Sequence, residues 1–221
     1  MARASPIIID LKNLKLPIYG LDPVPIYGTD CQDLFVIAMT QGKKNGTYLE
    51  IGCGWPSGGG TNTYALEKTF GWSGVSIDSG RASKKDTTAV RTLAQDWQLH
   101  RPNANFLEVD AFALDYATLP KYFDYLQIDI DPAPQNLAIL KKITEHIKFG
   151  IITFEHDAWD YKNVPIRIES REYLQHLGYS LIASNVGNCE DWWVDSAIIP
   201  ESVTNLYLPQ LRREWNKILL K

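Results

Sequence analysis

The chain has 221 residues, 45% of them hydrophobic, with a formal net charge of -4. That length and apolar content suit one packed α/β core, and the acidic balance excludes the basic surface that general nucleic-acid binding requires. The cysteines, Cys31, Cys53 and Cys189, are odd in number with no CxxC pair, which excludes a disulfide framework and suits a reducing, cytoplasmic compartment.

Residues 1–28 carry Pro6, Pro17, Pro23 and Pro25 with little periodicity and read as an extended arm lying on the domain. The arm lacks the unbroken apolar stretch of a signal peptide, and no later run approaches a membrane span. Segment 29–42 reads as a helix, with Thr29 and Gln32 at capping-box spacing and Gly42 as its stop. Apolar strand-length runs follow at 47–52, 73–78, 104–110, 124–130 and 150–156, and helical stretches lie near 62–70, 83–99, 134–147 and 166–177. This alternation indicates βαβ units and a parallel sheet. Two further strand-like runs, 178–186 and 192–199, are joined only by "GNCED". That link is too short for a crossover helix, so the pair is expected to be antiparallel. Residues 203–221 read as a terminal helix interrupted near Pro209.

The stretch "YLEIGCGWPSGGGTNTYALEK", 48–68, sets a strand, a glycine cluster and a helix in succession. In an open α/β sheet, ligands sit outside the carboxyl ends of the strands, which is where this loop lies. A P-loop needs GxxxxGK[ST], and no Gly-Lys-Ser/Thr occurs. The dinucleotide fingerprint GxGxxG finds Gly52 and Gly54, but Ser57 stands at the third position. That substitution disfavours a nicotinamide cofactor. Glu50 lies inside an apolar strand, where a charge is costly without a partner. Asp78 closes the second strand, where a carboxylate can take both hydroxyls of a ribose. Glycines that admit a backbone approach, an acid for a ribose and no phosphate cradle together suit S-adenosylmethionine. A tight turn with no ligand is the plain alternative.

"YLEIGCG", "TNTYALEKTFGWSGVSID", "FDYLQIDID" and "ITFEHD" resemble the FkbM-like branch of the class I S-adenosylmethionine-dependent methyltransferases, over roughly 47–200. The most specific part is the N-T-x-x-L-E-x-x-x-G-W-x-G run at 62–74. The resemblance implies a single methyltransferase domain over 1–221, a Rossmann-like three-layer sandwich. Its sheet would be mostly parallel and seven-stranded, with the last strand antiparallel. It also implies cofactor contacts from Glu50, Gly52 and Gly54, a ribose acid in Asp78 followed by Ser79, and Asp110 with Ala111 beside the adenine. The loop "WPSGGG", 55–60, is longer and richer in glycine than the family pattern.

Further acids end the later strands. Asp129 and Asp131 are two apart and share a face of a continuing strand, and Glu155, His156 and Asp157 end the next strand. Such crowding is relieved by a divalent cation, by hydroxyl or amine substrates, or by protonation. Asp129 is a catalytic and cofactor-binding candidate, and His156 is a candidate general base. Asp129, Asp131 and Asp157 are candidate ligands of a Mg2+-like ion. Trp192 and Trp193 point to opposite faces of a strand, with core packing of both favoured over one lining the substrate mouth. Glu190 and Asp191 lie where they could meet a polar substrate, and Arg167 and Arg171 read as a surface ion-pair helix. The reading is a methyltransferase acting on a hydroxyl of a saccharide or small metabolite, with no nucleic-acid or membrane partner. A nicotinamide-dependent oxidoreductase and a non-catalytic nucleoside- or glycan-binding domain are its rivals.

Overall fold

Near-continuous apolar runs are stable as strands only where both faces of the sheet are covered, and that condition is met here. A computed structural model describes residues 7–9, 24–80 and 91–206. The chain opens with β1 (Ile7–Ile9), β2 (Val24–Ile26) and α1 (Gln32–Met39), then β3 (Thr47–Ile51), α2 (Tyr64–Phe70) and β4 (Ser73–Asp78). α3 (Leu93–His100), β5 (Ala104–Glu108), β6 (Tyr122–Ile128), α4 (Pro134–Thr144) and β7 (Lys148–Glu155) come next. α5 (Val164–His176) leads into the hairpin of β8 (Tyr179–Val186) and β9 (Glu190–Asp195). Residues 201–206 are helical, and the interruption expected near Pro209 lies outside the described residues. So do residues 83–90 of the expected 83–99 helix.

The seven-stranded sheet has the order β5-β4-β3-β6-β7-β9-β8. All neighbours are parallel except the two pairs that involve β9. The last strand is antiparallel, as expected, but it lies inside the sheet between β7 and β8. Gly187 and Asn188, at φ 58° and 63°, turn the chain back on itself. That position buries both tryptophans completely, with 0% exposure for Trp192 and Trp193. Trp192 packs on Phe35 of α1 at 4.8 Å, and Trp193 joins the core on the opposite face, among residues of α4 and α5.

α1 covers the first face and is buried on all sides, as an all-round apolar helix must be. The Thr29–Gln32 capping box does not form. Cys31 is the N-cap, in a left-handed conformation with no side-chain cap. Gln32 instead accepts from the Asp30 amide at 3.1 Å and donates to Glu190. The helix ends at Met39, and Gly42, at φ 70°, donates its amide to the Ile37 carbonyl at 2.8 Å. A complete capping box occurs in α3, between Thr92 and Gln95. The proline-rich arm contributes a small antiparallel ribbon of β1 and β2, with Val24 and Ile26 in the core.

Asp33, in the first turn of α1, is fully buried and accepts from the amides of Tyr27 and Leu34 at 2.7 and 3.0 Å. Burial outweighs those hydrogen bonds and raises its carboxyl to about 7. An acid raised on folding binds more protons in the native state than in the unfolded one between the two pKa values. Its stabilising contribution is therefore complete below about pH 4 and is lost as the pH rises through about 7. Urea unfolding across that range should show the advantage of the parent over Asp33→Asn shrinking toward neutrality. Parallel curves for the two proteins would contradict the assignment.

Candidate functional site

The sequence order runs outward from β3 through β4 to β5, then returns to β6 on the other side of β3. A sheet opens a crevice at such a switch point, at the carboxyl ends of its strands. A cleft of about 450 Å3 lies there. Gly52 after β3, Asp78 at the end of β4 with Ser79 after it, Asp110 and Ala111 after β5, and Asp129 after β6 line it, with Ile51 and Ile77 as apolar walls. Six of the eight residues expected at the cofactor thus line one cleft, and Glu50 and Gly54 do not.

Each of these positions follows from local chemistry. Gly52 has φ +77°, and a Cβ there would lie 1.7 Å from the Asp129 carbonyl oxygen, so only glycine lets β3 and β6 end side by side. Gly54 has φ +55°, and a Cβ there would meet nothing within 4 Å. The backbone at Gly54 therefore stands open to an approaching ligand. Asp78 accepts from the Gly54 amide at 2.9 Å through one oxygen and from the Gly80 amide at 2.8 Å through the other. Each oxygen keeps a second lone pair for a hydroxyl. Trp97 donates to the Gly54 carbonyl at 2.9 Å and fixes the loop from below. Asp110 accepts from the Phe112 amide at 2.9 Å, which caps the short turn that presents Ala111 to the cleft.

Glu50 is placed differently from expectation. It is 2% exposed and lies outside the cleft lining. Its Oε2 accepts from Thr63 at 2.8 Å and Ser76 at 2.9 Å and faces Arg101 at 3.9 Å. Burial raises the Glu50 carboxyl, against the pull of Arg101. Arg101, itself 1% exposed, donates to Glu67 at 2.8 Å, to Tyr48 at 2.8 Å and to Thr63 at 2.6 Å. Glu50 thus belongs to a buried polar network beneath the glycine loop.

His156 is also corrected. It is 0% exposed and lines neither the cleft nor the pocket beside it. Its Nδ1 accepts from the Ala158 amide at 3.1 Å, and its Nε2 faces Asp191 at 3.5 Å. Burial would raise the Asp191 carboxyl, but Arg171 grips it with two hydrogen bonds of 2.6 and 2.8 Å, and these with its other donors hold it down at about 2. His156 is therefore a packing residue on the α5 side and cannot reach a substrate in the cleft as a base. Arg171 accordingly clamps a buried acid; Arg167 donates to Asn185 at 2.8 Å.

The metal set fails as well. Asp129 and Asp131 border the cleft, but Asp157 turns aside and accepts from Trp159 at 2.8 Å. Among the described residues, the only acid or thiol group gathered closely enough for a metal ion is Asp30, Cys189 and Glu190. Asp129, Asp131 and Asp157 do not form such a group.

The face-in residue at the end of β7 is Glu155. It joins Asp30, Gln127, Asp129 and Glu190 around a second pocket of about 200 Å3 that shares Asp129 with the cleft. Asp129 and Glu155 are hydrogen-bonded to each other. Burial, the bond to Asp129 and the Asp129 charge raise Glu155 far above the carboxylate range. Asp129 is raised by withdrawal from water and by the charges of Asp157 and Asp131, while its bond to Glu155 works the other way. Gln127 could have been singled out from sequence, since it breaks an apolar strand at the parity of Asp129. Asp30 carried no such signal.

No protein-family model matches the chain, and no curated protein does. The likeness is to solved structures. A caffeoyl-CoA O-methyltransferase candidate from Staphylococcus aureus aligns over 78% of this chain and 86% of its own, at 14% identity and a TM-score of 0.57. The S-adenosylhomocysteine-bound methyltransferase PaMTH1 of Podospora anserina covers 75% and 76%, at 12% identity and 0.54. The O-methyltransferase NovP covers 74% and 77%, at 11% identity and 0.51. At such identities the likeness is one of fold: the sheet and its helices are arranged as in these three methyltransferase structures.

Proposed function

We propose that the chain moves a methyl group from S-adenosylmethionine to a hydroxyl of a small polar acceptor such as a saccharide. The observation that carries this reading is Asp78 in the switch-point cleft, held by the amide of Gly54, whose Cα faces open space. The residues present fit an adenosyl compound. Asp78 offers lone pairs to a ribose, Ala111 and the isoleucine walls offer an apolar slot, and Gly54 leaves room beside the main chain.

A pyrophosphate fits less well. Dinucleotide sites place it on a helix that starts directly after the glycines. Here the loop continues from Gly54 to Thr63 before α2 begins, which speaks against the oxidoreductase reading. The FkbM-like branch is our inference from the run at 62–74. Free thiols at Cys31, Cys53 and Cys189 support a cytoplasmic setting, and no helix among the described residues is long and apolar enough to cross a membrane.

Bound in the cleft, S-adenosylmethionine would supply an electrophilic methyl group. The protein's part is to hold the acceptor oxygen in line and to take its proton. Asp129 stands where the cleft meets the second pocket. With Glu155 beside it keeping a proton, the Asp129 carboxylate would take the proton of an acceptor hydroxyl placed where the two pockets meet.

Calorimetric titration with S-adenosylhomocysteine tests the assignment. Asp78→Ala should weaken binding by about tenfold or more through the lost ribose hydrogen bonds. An unchanged dissociation constant would show that Asp78 only organises its loop.

A further inference from the structure

The second pocket has a chemistry of its own. Its lining includes Asp30, Asp129, Glu155 and Glu190 and no lysine, arginine or histidine. Glu155 and Glu190 are direct partners across the antiparallel β7–β9 pair, an arrangement in which like charges repel. The nearby Arg171 cation and the His156 ring serve Asp191, which follows Glu190 and therefore points to the other face of β9. Gln127 reinforces the point. It is 4% exposed, it lines the pocket, and its Oε1 accepts no hydrogen bond. A buried amide oxygen without a donor is costly. Among the lining atoms, the Gln127 oxygen is the buried one left without a partner, and it calls for a donor.

The dimensions bear on which cation. Ligand atoms of Asp30, Cys189 and Glu190 lie within 4.8 Å of one another. An ammonium nitrogen at hydrogen-bond distance from tetrahedrally placed acceptors holds them about 4.6 Å apart. The pocket, about 200 Å3, is far larger than the roughly 10–15 Å3 that one water-sized occupant needs. It accommodates part of an organic molecule, and Asp129 joins it to the cleft.

We propose that this pocket receives the ammonium group of the methyl acceptor, with Asp30, Glu190 and the Gln127 carbonyl oxygen as its hydrogen-bond acceptors. The acceptor is then an amino alcohol or amino sugar whose hydroxyl reaches Asp129. This inference rests on the methyltransferase reading above. Burial raises Asp30 and Glu190 in the free protein, and a bound ammonium relieves that cost.

The test uses the full chain near neutral pH, saturated with S-adenosylhomocysteine, and saturation-transfer NMR with glucosamine and glucose. These probes differ only by an ammonium in place of one hydroxyl. Glucosamine should bind at least about tenfold more tightly than glucose. Asp30→Asn and Glu190→Gln should each reduce that preference to below about threefold and leave S-adenosylhomocysteine affinity unchanged. Using both variants guards against one that fails to fold. Equal binding of the two sugars by the parent protein overturns the proposal and leaves the methyltransferase reading intact. So does stoichiometric binding of Mg2+, Mn2+ or Zn2+ that Glu190→Gln abolishes. If S-adenosylhomocysteine does not bind at all, the methyltransferase reading fails and the acceptor role falls with it. The same sugar pair on the free protein then reads the pocket alone.

Discussion

Gly52→Ala should destabilise the protein by about 3–5 kcal/mol and lower S-adenosylhomocysteine affinity by more than about tenfold. Two costs combine at this position. The backbone sits at φ +77°, and the new methyl would lie 1.7 Å from the Asp129 carbonyl oxygen and 2.8 Å from Ile130. Backbone atoms of a parallel strand cannot step aside cheaply, because Asp129 donates its own amide to the Ile51 carbonyl at 3.0 Å. Relief must come from moving the end of β6 away from β3, which displaces Asp129 and opens the floor of the cleft. Gly54→Ala is the internal control. It shares the positive φ but meets nothing within 4 Å, so its stability cost should be about 1–2 kcal/mol. Chemical denaturation of both variants reads the difference, and equal costs would show that the β3–β6 approach is not what requires glycine.

Arg101→Met is expected to cost about 3–5 kcal/mol, the usual penalty for removing one partner of a buried ion pair. The side chain is completely buried against the ring of Trp97 at 4.7 Å, and it is the cation that faces both Glu50 and Glu67. Methionine restores part of the volume but leaves two buried carboxylates without their counter-charge. Glu67→Gln in the same background should recover a substantial part of the loss, because it removes one of those charges. The network also reaches the site. Arg101 donates to Thr63 at the entry to α2, and Trp97 donates to the Gly54 carbonyl. Looser packing here should therefore weaken S-adenosylhomocysteine binding as well. A variant as stable as the parent would mean that the carboxylates are already neutral in the folded protein.

The architecture was largely legible in the chain. Each strand of the main sheet is an apolar run ended by glycine or acid, and "GNCED" limits the final pair to a hairpin. The position of β9 between β7 and β8 was not legible. A hairpin's sequence fixes that its strands are antiparallel, not which of them meets the rest of the sheet. Three-residue strands such as β1 and β2 carry too few positions for a period to show. The helix start at Thr29 misled for another reason. Capping-box spacing is a local pattern, and the tertiary bond between Gln32 and Glu190 outweighs it.

The site divided along the same line. Gly52, Asp78, Asp110 and Asp129 come together because each punctuates the carboxyl end of a strand, and the sheet gathers those ends. His156 failed on direction; Glu50, in register with the pocket residue Gln127, failed on depth, at 2% exposure. One residue of strand parity separates a side chain facing the site from one facing a helix, so Glu155 took the place assigned to His156. Glu50 faces α2 and α3 and is paired with Arg101, a residue so distant in sequence that no spacing revealed it.

The central claim is that the switch-point cleft is built for an adenosyl compound without phosphates. Thermal unfolding of the full chain with S-adenosylhomocysteine and with NADH, each in excess, tests it most directly. At about 100 times its dissociation constant, S-adenosylhomocysteine should add roughly 2.7 kcal/mol of stability, while NADH leaves the transition where it was. Stabilisation by NADH alone would contradict the account.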